Sequence, residues 1–264
     1  MSGSITLENR FGVNKMELIS LKYAIFVIVL LVLYYCFPKK YRWYVLLAGS
    51  MAYYVIICKW YVLFIIFTIC TTYGSTIWID KLLKKQNAIV KSHKEDWDRQ
   101  TRKDYKEKGR KKRVAVMLFA LLCNFGILAF LKYIPYAGEL GLLLPLGISF
   151  YTFQSMGYVM DVYREIVEPE KNFLKVALFV SFFPQIIQGP IAIYDKLAGQ
   201  LYEGHSLRLE NLQKGALLVL WGVMKKLVIA DRAVNIINFV MDKPMDFSGT
   251  YVFFAAVVYA LQLY

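Results

Sequence analysis

Apolar residues in this chain gather into long continuous runs rather than the one-sided stripes of surface helices. Helices that are apolar all round are surrounded by lipid or by other helices. Leu21–Phe37 is apolar but for Lys22 and stops at Pro38, Lys39 and Lys40. Trp43–Cys58, Trp60–Ile79 and Val114–Leu131 follow, then Leu140–Val162, Phe173–Ile193 and Gly215–Ala230; Thr250–Tyr264 opens an eighth run. A membrane-crossing helix needs roughly 17–25 residues, so the shorter runs imply tilt, snorkelling or partial re-entry. The pattern predicts an all-α, polytopic transmembrane protein with broken or re-entrant central helices. Its organisation is a tail over 1–20 and a transmembrane domain over 21–264, with a polar basic loop over 81–113.

The stretch from Leu144 to Ile191 is unlike the other runs. It carries Pro145, Pro184 and Pro190, Gly147, Gly157 and Gly189, three glutamines and the Asp161/Arg164 pair. A span that only anchors needs none of these. In lipid, every backbone group freed by a proline and every side-chain amide must find a partner inside the protein. The stretch is therefore expected to line a cavity or a helix–helix seam. Gln154, Asp161, Arg164, Gln185 and Gln188 are its cavity-lining candidates, and the glutamines are also placed to satisfy backbone broken at the prolines. Asp161 and Arg164 are three apart and share a helical face, which suits an ion pair or a substrate contact. Ser181–Ile191 is expected to be a kinked or interrupted helix buried against Leu144–Arg164, with Gln185 or Gln188, within a helical turn of the freed carbonyl, turned inward.

Composition and charge agree with membrane residence. Hydrophobic residues make up 58% and the mean hydropathy is +0.44, against about 45–50% apolar residues in soluble domains. Trp43, Tyr44, Trp60, Tyr61 and Trp78 lie near run ends, as interfacial aromatics do. Of the net charge of +13, the segment Lys81–Arg113 supplies +9, with fourteen Lys or Arg against five acids. Basic flanks stay in the cytoplasm. That places 81–113 inside, together with Lys39, Lys40 and Arg42, and puts the N-terminus outside. A membrane flank accounts for this charge without nucleic acid; attraction to anionic lipid heads or to an anionic acyl donor is a further reading. No small-residue cleavage site follows Leu21–Phe37, so it reads as a retained first span in the cell (cytoplasmic) membrane. Met16 directly precedes ELISLKYAIF, which leads into this span, and is an alternative start to Met1.

Three blocks carry a family resemblance: LPLGISFYTFQSMGYVMDVYR at Leu144–Arg164, SFFPQIIQGPI at Ser181–Ile191 and WGVMKKLVIADR at Trp221–Arg232. Their order and spacing resemble the membrane-bound O-acyltransferase superfamily, in the branch similar to the bacterial alginate O-acetylation membrane protein. The resemblance implies an acyltransferase that moves an acyl group, most often acetyl, from a cytoplasmic thioester such as an acyl-CoA. The acceptor it implies is a hydroxyl of an extracytoplasmic polysaccharide or cell-wall polymer, often reached through a partner extracytoplasmic acyltransferase. No bound cofactor is implied. In this family the invariant histidine falls in a segment downstream of Tyr264, so the chain looks like the N-terminal part of such an enzyme, expected to be inactive alone.

The residues add little other chemistry. His93 and His205 are the only histidines, and neither lies in an apolar run where a sequestered base would be expected. Cys36, Cys58, Cys70 and Cys123 show neither C-x-x-C spacing nor a neighbouring histidine, so neither a disulfide framework nor a metal site is expected. Lys225 and Lys226 stand near Asp231 and Arg232 at a run end, as snorkelling lysines or as part of the third block. Other classes remain open: a transporter or channel, which also uses broken helices, or a non-catalytic scaffold for a secreted transferase.

The charge distribution generates a topology prediction. In a cysteine-free background, single cysteines placed in Lys81–Arg113 should resist a membrane-impermeant thiol reagent in intact cells and react after lysis. Labelling without lysis would reverse the orientation.

Overall fold

The computed structural model describes residues 21–93, 96–133, 145, 147–187, 191–242 and 244–263. The tail 1–20, most of the start of Leu140–Val162, and Gln188 with Gly189 and Pro190 lie outside the described residues. Among these residues the regular elements are helices. The chain divides into two units, Met1–His205 and Ser206–Tyr264.

In the first unit, α1 (Leu21–Cys36) and α2 (Arg42–Cys58) are joined by Pro38 and a short 3₁₀ turn at Lys39–Tyr41. Pro38 cannot continue a helix. Arg42 closes the corner: its Nε donates to the Phe37 carbonyl at 2.9 Å, and its guanidinium lies over the rings of Tyr34 and Tyr35. A second 3₁₀ turn at Lys59–Tyr61 leads into α3 (Val62–Ser92), and α4 (Arg99–Tyr133) follows. The stretch Lys39–Ser92 and α4 are each long and apolar enough to cross a membrane. With the smaller apolar helices they make an all-helical membrane protein.

The segment Lys81–Arg113 is not an irregular loop. α3 runs on to Ser92 and α4 starts at Arg99, so the basic segment is a helical hairpin with its turn near Trp97. Its composition accounts for the difference. Lys, Gln, Glu and Arg are good helix formers, and four-residue spacing sets Lys84 on Asp80, Lys111 on Glu107 and Gln100 on Asp104.

α5 (Ile148–Tyr163) packs against both α3 and α4. Its core contacts are large buried side chains: Tyr151, Met156, Tyr158 and Val159 from α5, with Ile65, Ile69 and Ile79 from α3. α5 ends in a Schellman turn, with Glu165 N–H donating to Val162 O at 3.1 Å and Ile166 N–H to Asp161 O at 3.0 Å. Glu165 takes the left-handed position at φ 61°, where glycine is usual. Its carboxylate there meets Arg113 Nη1 at 2.8 Å. The expected Asp161–Arg164 pair does not form. Arg164 is exposed at the helix cap, and the buried cation at this end is Arg113, which takes Glu165.

Phe173–Ile193 does not run through as one span. It forms α6 (Phe173–Ser181) and α7 (Phe183–Ile187), and the chain returns through α8 (Tyr194–Tyr202). Tyr202 OH donates to Lys175 O at 2.8 Å, so the return ends beside the departure. Trp43, expected among interfacial aromatics, is buried against Leu178 and Leu201 of this hairpin. His205 N–H reaches Tyr34 OH at 3.3 Å, next to the α1–α2 corner. Segment 173–202 is therefore re-entrant: it leaves one end of the bundle and comes back to it.

The second unit holds α9 (Leu209–Met224), a π-helical turn at Lys225–Ala230, α10 (Asp231–Met241) and α11 (Gly249–Leu263). α10 and α11 pack on each other, while α9 has no buried residue.

Glu165→Ala should lower the unfolding midpoint of the chain in detergent micelles. It leaves the Arg113 guanidinium buried without its carboxylate, a loss of about 1–3 kcal/mol. Glu165→Gly should lower it less, because glycine suits the left-handed position. Equal midpoints for Glu165→Ala and the native chain would show that the ion pair contributes nothing.

Candidate functional site

The site grows from one break in the backbone. Between α6 and α7, Phe182 is extended at φ −59°, ψ 105°, and the helix stops. Pro184 falls in the first turn of α7, where a missing N–H costs nothing. The break lies two residues before the proline because Pro184 excludes the helical bond to Val180 and clashes with that turn. It leaves carbonyls at the end of α6 without their helical donors.

Neighbouring helices supply the missing partners. Gln154, buried on α5, donates from Nε2 to the Phe179 carbonyl at 2.8 Å. Phe183 N–H, which would have served that carbonyl in an unbroken helix, turns to the hydroxyl of Ser50 on α2 at 3.4 Å. Ser181 Oγ donates back to Ala177 O at 2.7 Å. On the far side of the break, Gly147 sits at φ 70° with its α-carbon against Ile186; any β-carbon there would overlap the Ile186 carbonyl. The start of α5 and the end of α7 are thus pressed backbone to backbone.

The candidate residues do not all meet. Gln154 sits at the break. Gln185 is half-buried in α7, and its Oε1 is buried without a partner among the described residues. Gln188 lies outside the described residues. Asp161 and Arg164 are at the far end of α5, two turns from Gln154, and do not join the break. The amide that serves the broken helix is Gln154, reaching across from α5, and not the expected Gln185, while Gln188 is outside the described residues.

The sequence offered weaker signals for other interior groups. Ser50 is the lone serine or threonine in its apolar run, and Thr72 and Ser155 belong to Ser/Thr-rich turns of α3 and α5. Thr76 makes the usual hydroxyl bond to the carbonyl four residues back, at 2.9 Å. Thr72 Oγ1 and Ser155 Oγ are buried with no partner among the described residues. Tyr54 and Tyr151 add two phenols, their rings edge-to-face at 6.3 Å. Such hydroxyls can hold water or orient a hydroxylated ligand; none is a base at neutral pH.

Neither histidine joins this interior. His93 is exposed, stacked on Trp97 at 4.9 Å with Nδ1 3.1 Å from Ile89 O. His205 is exposed, with Nε2 3.0 Å from Gln200 O. The cysteines are free thiols, and no metal-binding group of His, Cys, Asp and Glu exists among the described residues. In the second unit, Lys226 pairs with Asp231 at 3.0 Å and Lys225 lies over Trp221. The π-helical turn falls inside Trp221–Arg232, a placement common near functional sites.

Comparison with known proteins bears on this geometry. A peptidoglycan O-acetyltransferase of Helicobacter pylori is 30% identical over 56% of this chain and 35% of its own length. A probable alginate O-acetylase of Pseudomonas syringae is 35% identical over 46% of the chain and 23% of its own length. This chain is a relative of bacterial O-acetyltransferases. The alginate O-acetylase of Pseudomonas aeruginosa, also named as probable, is 33% identical over 47% of the chain and 23% of its own length. The chain thus spans between about a quarter and a third of the length of the curated relatives it matches. No family model matches, and no solved structure matches. The O-acetyltransferase relatives agree with the resemblance carried by the three sequence blocks.

Gln154→Leu should destabilise the chain, because it leaves Phe179 O buried and unpaired at a cost of about 1–3 kcal/mol. The unfolding midpoint in detergent should fall by several degrees. Ile28→Ala, at a position 61% exposed on α1, should leave it within about a degree. Equal midpoints would show that the amide does not hold the break.

Proposed function

We propose that this chain builds the broken-helix core of a membrane-bound O-acyltransferase. The reaction would carry an acyl group, most often acetyl, from a thioester donor such as acetyl-CoA to hydroxyls of a polysaccharide or cell-wall polymer. The observation that carries this reading is the similarity to O-acetylases of alginate and peptidoglycan, at 30–35% identity. The interior supports it. An interrupted helix, held open by Gln154 and Ser50, and the hydroxyls of Thr72 and Ser155, which have no partner among the described residues, make a polar centre among apolar helices.

The proposal places the protein in the cytoplasmic membrane as a multi-pass protein, with the basic hairpin inside and the donor arriving there. The acceptor lies outside, reached directly or through an extracytoplasmic transferase. Attack on a thioester carbonyl needs a base to take the hydroxyl proton as the bond to oxygen forms. Neither His93 nor His205 is placed for that role, so the 264-residue chain supplies architecture and not the base.

Two measurements test this. In the source organism, disrupting the gene should lower the acetate that mild alkali releases from exopolysaccharide or peptidoglycan by at least about half. The Gln154→Leu allele should lower it too, by more than the fall in its membrane abundance accounts for. Unaltered acetate in both polymers after disruption would defeat the proposal. The purified 264-residue chain with acetyl-CoA and polysaccharide should show no turnover above background. Turnover that disappears in His205→Ala would instead make His205 the base.

A further inference from the structure

The base of the α3–α4 hairpin holds a cavity of about 620 Å³ between the two helices. Its cationic wall is one stripe of α4: Lys103, Lys106, Arg110 and Arg113 at spacings of three, four and three, which keeps them on one helical face. Leu83 and Gln86 of α3 form part of the opposite wall. The helices approach closely here because α4 has Gly109 against the Gln86 side chain, where any β-carbon would overlap the amide. Gln86 Nε2 donates across to Lys106 O at 3.3 Å.

The lining also contains acids, but each has a partner. Asp104 takes the Gln100 amide at 3.1 Å, Glu107 pairs with Lys111 at 3.2 Å, and Glu165 pairs with Arg113. Among the described residues Lys103, Lys106 and Arg110 make no ion pair. Arg113 is 8% exposed, gives Nη1 to Glu165, and keeps a buried Nε without a partner. A deep, under-satisfied guanidinium beneath three unpaired cations calls for an anion.

The place along the helices narrows the choice. The apolar run of α4 begins at Val114, directly after Arg113, and that of α3 ends at Ile79. A polar headgroup layer is about 5–8 Å thick, some four or five helical residues. Arg113, Arg110 and Leu83 fall within that depth, and Lys106 and Lys103 stand beyond it, about 12 and 16 Å along the helix from Val114. Basic pockets at this level between membrane helices suit anionic headgroups.

We propose that this groove is a binding site for a phosphate-bearing anion, with Arg110 and Arg113 at headgroup depth and Lys103 and Lys106 above. The phosphate of an anionic phospholipid and the phosphates of a soluble nucleotide thioester share this chemistry. The depth of the two arginines favours the lipid.

The test is the unfolding midpoint of the 264-residue chain in neutral detergent micelles. Probes are phosphatidylglycerol, phosphatidylcholine, inorganic pyrophosphate and coenzyme A. Phosphatidylglycerol should raise the midpoint by about 3 °C or more, as ligands of the native state do, and phosphatidylcholine should not. Lys103→Gln with Arg110→Gln should cut that shift by at least half. Lys85→Gln with Lys91→Gln, on the same hairpin outside the groove, should leave it intact. A shift with coenzyme A or pyrophosphate but not with phosphatidylglycerol, lost in the same groove variant, keeps the phosphate site and assigns it to a soluble ligand. No shift with any probe, or equal loss in both double variants, overturns the proposal.

Discussion

The structure depends on one constraint: a helix interrupted among apolar helices must have its backbone satisfied by its neighbours. Water cannot do this in hydrocarbon, where each unpaired group costs several kcal/mol. At Phe182 the debt falls on Phe179 O and Phe183 N–H, and Gln154 and Ser50 meet it from two different helices. Those two bonds tie α2 and α5 to the break. Gly147 adds a third tie by letting the start of α5 touch Ile186. An unbroken α6 would need none of these side chains. Their presence shows that the break is part of the fold and that the helices around it are placed by it.

Much of this was legible in the sequence, for a physical reason. Hydrocarbon selects long apolar runs and punishes prolines and amides, so the runs and the exceptional stretch at Leu144–Ile191 stand out from composition alone. The break near Pro184 followed from the missing N–H. The expectation that Gln185 or Gln188 would serve it did not carry over: the amide at the break is Gln154's, Gln185 Oε1 has no partner among the described residues, and Gln188 lies outside them. Gln185 is adjacent in sequence, but Gln154 stands on a different helix, and only packing decides which amide reaches the carbonyl. Re-entry of segment 173–202 was open for the same reason: the meeting of Tyr202 with Lys175 is a tertiary contact.

Charge was read correctly as a quantity and incompletely as a shape. A run of fourteen cations reads as a solvated loop because like charges repel. In the structure the cations are spread around two helices, with acids at four-residue spacing. The helical form matters because it gathers Lys103, Lys106, Arg110 and Arg113 on one face, which an irregular loop would not do. The Asp161/Arg164 expectation failed on a related point. Arg164 still follows the helix, its N–H bonding to Met160 O at 2.9 Å, but it is exposed at the cap, and the carboxylate that meets a buried cation at this end is Glu165, on Arg113.

The last step connects the two polar regions. α5 carries Gln154 at the break and leads, eleven residues later, to Glu165 at the base of the hairpin. Over that length a helix rises about 16 Å. Glu165 sits in a left-handed turn that costs an L-residue about 1 kcal/mol, and glycine would remove the strain. Glutamate at this position keeps a carboxylate on Arg113, so the same helix is fixed at one end by a backbone carbonyl and at the other by a buried cation. α5 packs on α3 and α4 between those two points, and a shift of the hairpin along its axis would strain the Gln154–Phe179 bond. α5 thus joins the basic hairpin to the broken core, with polar contacts at its two ends and buried tyrosine, methionine and isoleucine packed along its middle.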